Sequence, residues 1–480
     1  MTSSIHQFKQ AKIIVIVLLA LGNFAAHAQE KITLQTAVDR ALERNLTVKQ
    51  AKLTESLGAA DYEQSKNNIL PSLNASPQAS YNFGRSPNLA TYSYSNQAFL
   101  YLTAAATMSV TLYQGGQLRN QIIENKLTLD VDKSNTTKVK NDLTLNVVTD
   151  YLQILTNQDL VTAAKQQIDI ANQTRDRAQI SFNVGNMTLA DLAQAKAQVS
   201  TANLNLTTAQ NQLDLSILIL KQYMEMDPNA DIIIEKPDIS KLTNVRTAYS
   251  ANEVIGTAIK VNPDMLLAEA QQQTYAQAIK IAKGTYYPTI SLFGSVGSNY
   301  SNLQKQQVVG STLLSVPVGT VQGTNQVVVA PVSQPVYGPY PFTSQFGNNL
   351  NQAIGINMQI PIFNRYLSRT NVKKAKLNYQ NAEISTQIVK NNLSKTIIQA
   401  ILDLQAAEKQ YQSATQTFES NKEALNVTKQ RYDVGLVNTL DYNTSLTNYN
   451  KSQNDMIQAQ YAVIFRSKII DYYLGNTITL

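Results

Sequence analysis

The sequence contains no cysteine and no tryptophan, and only two of its 480 residues are histidine. Without cysteine there are no disulfides, no thiolate metal sites and no Cys nucleophile. His6 and His27 both fall in what reads as a cleaved leader. The remaining chain therefore lacks the commonest general base, the usual zinc ligand and any Ser-His triad. An enzyme built on carboxylates or lysine would need a compact pocket-forming domain, and the sequence shows none. The expectation is a protein that is not an enzyme, with no cofactor and no metal. Dense basic runs are also missing. Two lysines of the +7 net charge belong to the leader, so nucleic acid is not an expected partner. After the leader no apolar run approaches the roughly 18 residues of a membrane-spanning helix, so entry into a membrane would have to be as a β-barrel.

The leader itself is readable. Lys9 and Lys12 form a basic start, Ile13 to Leu21 an apolar core too short to span a bilayer, and Ala26-His27-Ala28 an A-x-A cleavage site. Cleavage after Ala28 predicts export. No cysteine follows for N-terminal lipid attachment.

The rest is one unit written twice. Ala41-Leu42-Glu43-Arg44-Asn45 matches Ala258-Ile259-Lys260-Val261-Asn262, and Leu70-Pro71-Ser72-Leu73 matches Tyr287-Pro288-Thr289-Ile290. Further on, Thr111-Leu112-Tyr113 matches Pro361-Ile362-Phe363, and Tyr223 matches Tyr473, at a larger but constant offset. One insertion in the second half, between Tyr300 and Gln345, accounts for the change. The spacing predicts a signal peptide over 1–28, a first repeat over 29–225, a linker over 226–250 containing the strand-like Ile232-Ile233-Ile234, and a second repeat over 251–480. Each repeat reads as a helical stretch (Leu34 to Asn68; Ala251 to Gly284), a strand pair (72–113; 289–363, with a loop insertion at 301–345), a long helix, a tip loop (182–188; 432–438) and a last helix.

Charge is nearly absent from both strand windows. Arg85 is the only charged residue between Lys66 and Arg119, and Lys305 the only one between Lys283 and Arg365. Period-two alternation runs through the same windows: Leu102, Ala104, Ala106, Met108, Val110 and Leu112 against Thr103, Ala105, Thr107, Ser109 and Thr111. Ile354, Ile356, Met358, Ile360 and Ile362 alternate with Gly355, Asn357, Gln359 and Pro361. Aliphatics on one face and small uncharged polar groups on the other suit a wall with lipid outside and water inside. Tyr81, Tyr92, Tyr94, Tyr101, Tyr113, Tyr286, Tyr287 and Tyr300 could supply an interfacial belt. Four strands cannot close around water, so the chain must oligomerise. The insertion, rich in Val, Gly and Pro, reads as an extracellular loop. Gln117 to Phe182 runs without Pro or Gly and would span roughly 100 Å as one helix. Its apolar residues form narrow seams on an otherwise polar surface, as in a coiled-coil wall.

Between the long helix and the last one, a motif occurs twice: Phe182-Asn183-Val184-Gly185-Asn186-Met187-Thr188-Leu189-Ala190-Asp191 and Tyr432-Asp433-Val434-Gly435-Leu436-Val437-Asn438-Thr439-Leu440-Asp441. Gly185 and Gly435 suit a left-handed helix stop. Thr188 and Asn438 suit N-caps, with Asp191 and Asp441 three residues on as in a capping box. The two acids therefore have a structural reading, as cap and dipole partners, beside a gating or ion-selecting one.

With duplication, strand placement, helix lengths and both Gly motifs, essentially the whole chain after the leader resembles the TolC family of outer-membrane efflux channels. The resemblance implies a mixed α and β membrane protein. It would be a homotrimer with a 12-stranded transmembrane β-barrel, four strands per chain, continuing into a long α-helical coiled-coil periplasmic tunnel. It further implies an outer-membrane exit duct of a tripartite pump in a Gram-negative bacterium, working with a periplasmic adaptor (membrane-fusion) protein and, through it, an inner-membrane transporter. The tip loops would meet the adaptor through Phe182, Val184, Gly185, Asn186, Met187, Tyr432, Val434, Gly435, Leu436 and Val437. The aperture would involve Asp191, Asp441, Thr444 and Arg431. The best-known members carry an Arg shortly after the second Gly, tied to the first-loop Asp and the second-loop Tyr. Val437 stands in its place here, Thr444 replaces a second aperture acid, and Arg431 is a candidate substitute for the missing Arg. The alternatives are the outer-membrane component of a type I protein secretion system and an adhesin-like coiled coil anchored in the outer membrane.

Overall fold

Two 67-residue helices dominate the computed structural model, which describes residues 30–88, 93–237 and 248–476. The leader, its expected cleavage site and Tyr92 lie outside the described residues. In chain order the elements are β1 (Glu30–Ile32), α1 (Leu34–Arg44), α2 (Leu46–Asn67), β2 (Ser72–Asn82), β3 (Arg85–Asn88), β4 (Ser93–Asn96), β5 (Phe99–Gln114), α3 (Gln117–Asn183) and α4 (Leu189–Tyr223). There follow β6 (Ile232–Ile234), α5 (Ala251–Val261), α6 (Pro263–Gly284), β7 (Thr289–Ser301), β8 (Lys305–Thr320), β9 (Val327–Pro339), α7 (Phe342–Asn348), β10 (Asn351–Gln359), α8 (Leu367–Asp433) and α9 (Thr439–Tyr473). Helices of 11, 22, 67 and 35 residues occur in the same order in both halves, the geometric form of the duplication. No helix among the described residues is long and apolar enough to cross a membrane.

The chain divides into two units. One comprises, as far as described, 30–58, 127–273 and 380–476; the other comprises 59–126 and 274–379. In the first unit, α1 buries Leu34, Ala37, Val38 and Ala41, a stripe at helical spacing, against the middle of α3, where Val147, Tyr151, Ile154 and Leu155 are buried. The second repeat builds the matching cluster from Val254 and Ala258 of α5 with Ile397, Ile401 and Leu404 of α8. β1 and β6 pair in parallel. The Tyr151 hydroxyl donates to the Glu235 carbonyl at 2.6 Å, with the Ile32 carbonyl at 3.1 Å, and so ties this small sheet to α3.

Each repeat was expected to open with one helix, but the helix breaks at Asn45 and at Asn262. At both points ψ swings to about 130° (131° and 128°). The Asn side chain then accepts an N–H of the next helix, from Thr47 at 2.9 Å and from Asp264 at 3.0 Å. Each Asn thus ends one helix and caps the next.

In the second unit a four-stranded antiparallel sheet has the order β10-β7-β5-β2. Register carries one apolar face across all four strands: Leu73 opposes Met108, Met108 opposes Gly294, and Gly294 opposes Ile354. One residue along, Asn74, Thr107 and Ser295 line up on the other face. Lipid-type exposure is plain on β10, where Ile354 is 83% exposed. The expected alternation fails at Leu112, which is skipped in a bulge between Thr111 and Tyr113, so Tyr113 pairs with Ile290 on the aliphatic side. β2 and β10 are open edges. Backbone donors and acceptors on such edges have no partner in hydrocarbon, which requires further copies to close the sheet.

Each strand pair carries a hairpin at the end away from the helices. The first pair has the short β3–β4; the second has β8–β9, 16 and 13 residues long. The insertion at 301–345 holds this hairpin, followed by α7. This helix covers the stretch of β7 that β10 does not reach. The buried Gln345 accepts the Ser301 N–H and donates to the Ser301 carbonyl at 3.1 Å, and Asn349 donates to the Asn299 carbonyl at 2.9 Å. Phe342 meets Tyr300 edge-on at 5.1 Å. The Gln345 amide reproduces the pair of bonds that a neighbouring strand would make.

Candidate functional site: the two helical tips

Both long helices stop in the same way. At the first tip Asn186 N–H donates to the Ser181 carbonyl (2.9 Å) and Gly185 N–H to that of Phe182 (3.0 Å). At the second, Leu436 donates to Arg431 (2.8 Å) and Gly435 to Tyr432 (3.0 Å). These are Schellman stops, with Gly185 and Gly435 at φ of 79° and 77°. Thr188 then starts α4 with a full capping box. Its hydroxyl accepts the Asp191 N–H at 3.1 Å, and the Asp191 carboxylate takes the Thr188 N–H in return. Asn438 caps α9 by accepting the Asp441 N–H at 2.8 Å, without the reciprocal bond.

Asp191 does more than cap. The Thr188 hydroxyl, at 2.7 Å, holds its carboxyl below the usual range, and the hydroxyl of Thr439 from the second tip adds to this. The second link between the tips is an ion pair, Arg177 on α3 with Asp433 at the end of α8 at 2.5 Å. Arg431, the expected substitute for the missing Arg, makes no ion pair among the described residues; Arg177 is the cation that pairs there. Tyr442 is buried, stacks on Tyr432 at 4.8 Å, and has its hydroxyl pKa raised by burial. The first tip has its own small core of Ala178, Leu192 and Ala195, with Phe182 and Met187 packed on it. Between the tips lies an open cleft of about 990 Å³, lined by Arg177, Gly185, Met187, Asp191, Tyr432, Gly435 and Val437 among others. Val184 and Leu189 at the first tip and Val434, Leu436 and Leu440 at the second are exposed; Leu436 is 70% exposed. Asn186, Asp441 and Thr444 are exposed as well.

Reasoning from sequence did not find Arg177, Asp433, Thr439 and Tyr442. At the repeat offset they align with Val427, Asn183, Leu189 and Leu192. The tip-to-tip contacts are thus made where the two halves differ, which a search for what the halves share passes over. No cluster able to hold a metal occurs among the described residues.

A strand sheet with a lipid-type face, paired long helices and mirrored tips describe a channel of the outer membrane. The chain belongs to the outer membrane efflux protein family, whose model matches residues 37–224 and 254–476, one stretch in each half. It is 22% identical to outer membrane protein TolC of Escherichia coli over 470 residues, covering 96% of this chain and 86% of the relative. In fold it is similar to CusC, with a TM-score of 0.74, 15% identity and 92% of each chain covered. It is also similar to the CmeC outer-membrane channel of Campylobacter jejuni, with a TM-score of 0.73, 19% identity, 92% of this chain and 85% of that one covered. The fold class is that of the TolC-like trimeric channels, mixed α and β, and the protein serves as an exit duct for efflux across the outer membrane of a Gram-negative bacterium.

Proposed function

We propose that three copies of this chain, exported by a signal peptide removed after Ala28, close a 12-stranded barrel and form the passive exit of a tripartite pump for small molecules. The repeats 29–225 and 251–480, joined by 226–250, each supply half of a protomer's wall. The tips meet a periplasmic adaptor protein that connects to an inner-membrane transporter. The observation that carries this reading is the pair of mirrored tips, each presenting aliphatic side chains to solvent beside a Gly stop. Exposed apolar groups rimmed by polar ones suit a protein partner. Threefold symmetry brings three Asp441 carboxylates together at the narrow end, and an acid ring favours cations. The Arg177–Asp433 pair holds the two tips of a protomer together.

Two measurements test this. Asp441→Asn should lower cation preference and raise conductance in planar bilayers; unchanged values would leave Asp441 a capping residue alone. Gly435→Val or Leu436→Asp should abolish efflux, read as drug susceptibility, while the detergent-purified protein keeps the mass of a trimer. Normal resistance in both variants would remove the adaptor contact from the tips.

A further inference from the structure

Two seams between helices of this chain are built alike. The Thr136 hydroxyl of α3 donates to the Ala51 carbonyl of α2 at 3.3 Å, and the Thr386 hydroxyl of α8 donates to the Ala268 carbonyl of α6 at 3.3 Å. The duplication accounts for this. α2 and α6 both have 22 residues, and α3 and α8 both have 67, so that laid end to end Ala51 falls on Ala268 and Thr136 on Thr386. A third seam joins the repeats. Lys138 of α3 pairs with Asp264 of α6 at 3.0 Å, and the Gln277 amide of α6 donates to the Asn120 side chain of α3 at 2.9 Å. The helices therefore pack in the order α2-α3-α6-α8, which is also the order of the strands they adjoin in sequence. α3 and α6 each have two neighbours in this row, whereas α2 and α8 end it.

The two end helices carry a second face. α2 buries Val48, Ala51, Gly58 and Ser65, and α8 buries Ala382, Leu393 and Ile397. At 3.6 residues per turn, Leu46, Leu53 and Leu57 share another side of α2, and Leu377, Ile384 and Ile388 another side of α8. All six are between 53% and 68% exposed. Among the described residues they are all the exposed large apolar side chains of α2 and of α8 from Leu377 to Ile388.

The third seam indicates what covers them. Superposing the repeats puts Lys138 on Ile388 and Asp264 on Thr47, beside Leu46, and puts Asn120 on Thr370 and Gln277 on Ala60. The local backbone agrees, since Asn45 accepts the Thr47 N–H as Asn262 accepts that of Asp264. An α2 and an α8 paired as α6 and α3 are, antiparallel, would set Ile388 beside Leu46, Ile384 between Leu46 and Leu53, and Leu377 between Leu53 and Leu57. Charge fits the same pairing. Within four residues of Ala60 and Thr370, the charged residues are Asp61 and Glu63 on α2 and Arg369, Lys373 and Lys374 on α8. A partly exposed ion pair adds little to association. It suffices between repeats that one chain already holds together, whereas separate chains need apolar area to bury. We propose that Leu46, Leu53 and Leu57 of one copy pack against Leu377, Ile384 and Ile388 of the next, so that the seam between copies repeats the seam between repeats with aliphatic groups in place of the Lys138–Asp264 pair. This rests on the trimer reading given above.

The test moves the internal ion pair into the new seam. The unaltered chain, Ile388→Lys, and Ile388→Lys combined with Thr47→Asp are purified in detergent, and the trimer mass is followed on heating. Ile388→Lys should dissociate at a lower temperature, and Thr47→Asp in the same chain should restore at least half of the shift. A defect that Thr47→Asp leaves unchanged would count against the seam. Because the chain has no cysteine, Leu46→Cys/Ile388→Cys gives a second reading that does not depend on the lysine variant folding. A short bis-maleimide should link it into covalent dimers and trimers, at least tenfold more than either single variant. A trimer mass with both thiols freely labelled and no covalent product would overturn the seam and leave the trimer standing. A monomer mass for the unaltered chain would remove the trimer reading and the seam with it.

Discussion

Two carboxylates on the first repeat are displaced in opposite directions, and stability should follow each with its own sign. Asp191, held down by the Thr188 hydroxyl, stabilises the tip above its unfolded value of 3.8 and ceases to do so as pH falls through its lower folded value. Asp150, on α3 beside Tyr151, is buried with Oδ2 lacking a partner, and desolvation pushes it up to about 7. Between 3.8 and about 7 the folded chain binds the extra proton, so this group makes the fold less stable as pH rises across that window. Asp150→Asn should flatten the pH dependence and raise stability at pH 8 by about 1–2 kcal/mol, measured by urea unfolding at pH 5 and 8. Single residues also record the duplication in their backbone. Arg365 (φ 56°) and Tyr366 (φ 61°) repeat the turn made by Gly115 (57°) and Gly116 (74°), and Glu225 (51°) repeats Gly475 (75°). Left-handed backbone costs a side-chain-bearing residue roughly 1–2 kcal/mol, so the conformation has been kept where glycine has not.

Elements were legible in proportion to the length over which their pattern ran. The alternation from Leu102 to Val110 and the uninterrupted stretch from Gln117 needed no tertiary information, and both appear as drawn. What escaped was decided by single residues. The Asn262 break announces itself through Pro263, which suits the first helical position. Asn45 has Leu46 after it and gives no such sign. The bulge at Leu112 follows from pairing with β7 nearly two hundred residues away. At the tips the Gly stops and caps could be read locally, whereas Arg177 and Asp433 join residues far apart in sequence. If Asn262 both ends α5 and caps α6, Asn262→Ala should cost about 1 kcal/mol. Hydrogen exchange should show it as faster exchange of the Asp264 and Met265 amides, with α8 distant from the site unchanged.

At the scale of the whole molecule the two faces of the sheet meet different solvents. Ile356 and Asn357 are neighbours on β10 and both exposed, one on the aliphatic face and one on the polar face. Ile356→Lys should cost about 2–4 kcal/mol of folding stability in lipid if it lies near the bilayer midplane. Asn357→Lys, facing water, should cost well under half of that, with both read from denaturant-induced unfolding in vesicles. Loss of equal size in the two variants would mean that the sheet is not a lipid-water wall. The same sheet has to exist for a time before its copies arrive. In that interval β10, which has no proline, and β2, which has one, are adhesive strands, while the longer and more apolar hairpin has edges that proline makes poor templates. A chain in transit is thus sticky mainly along the two borders that will later be joined to its own kind. An escort protein that shields those borders would keep it from aggregating without having to hold the hairpin at all.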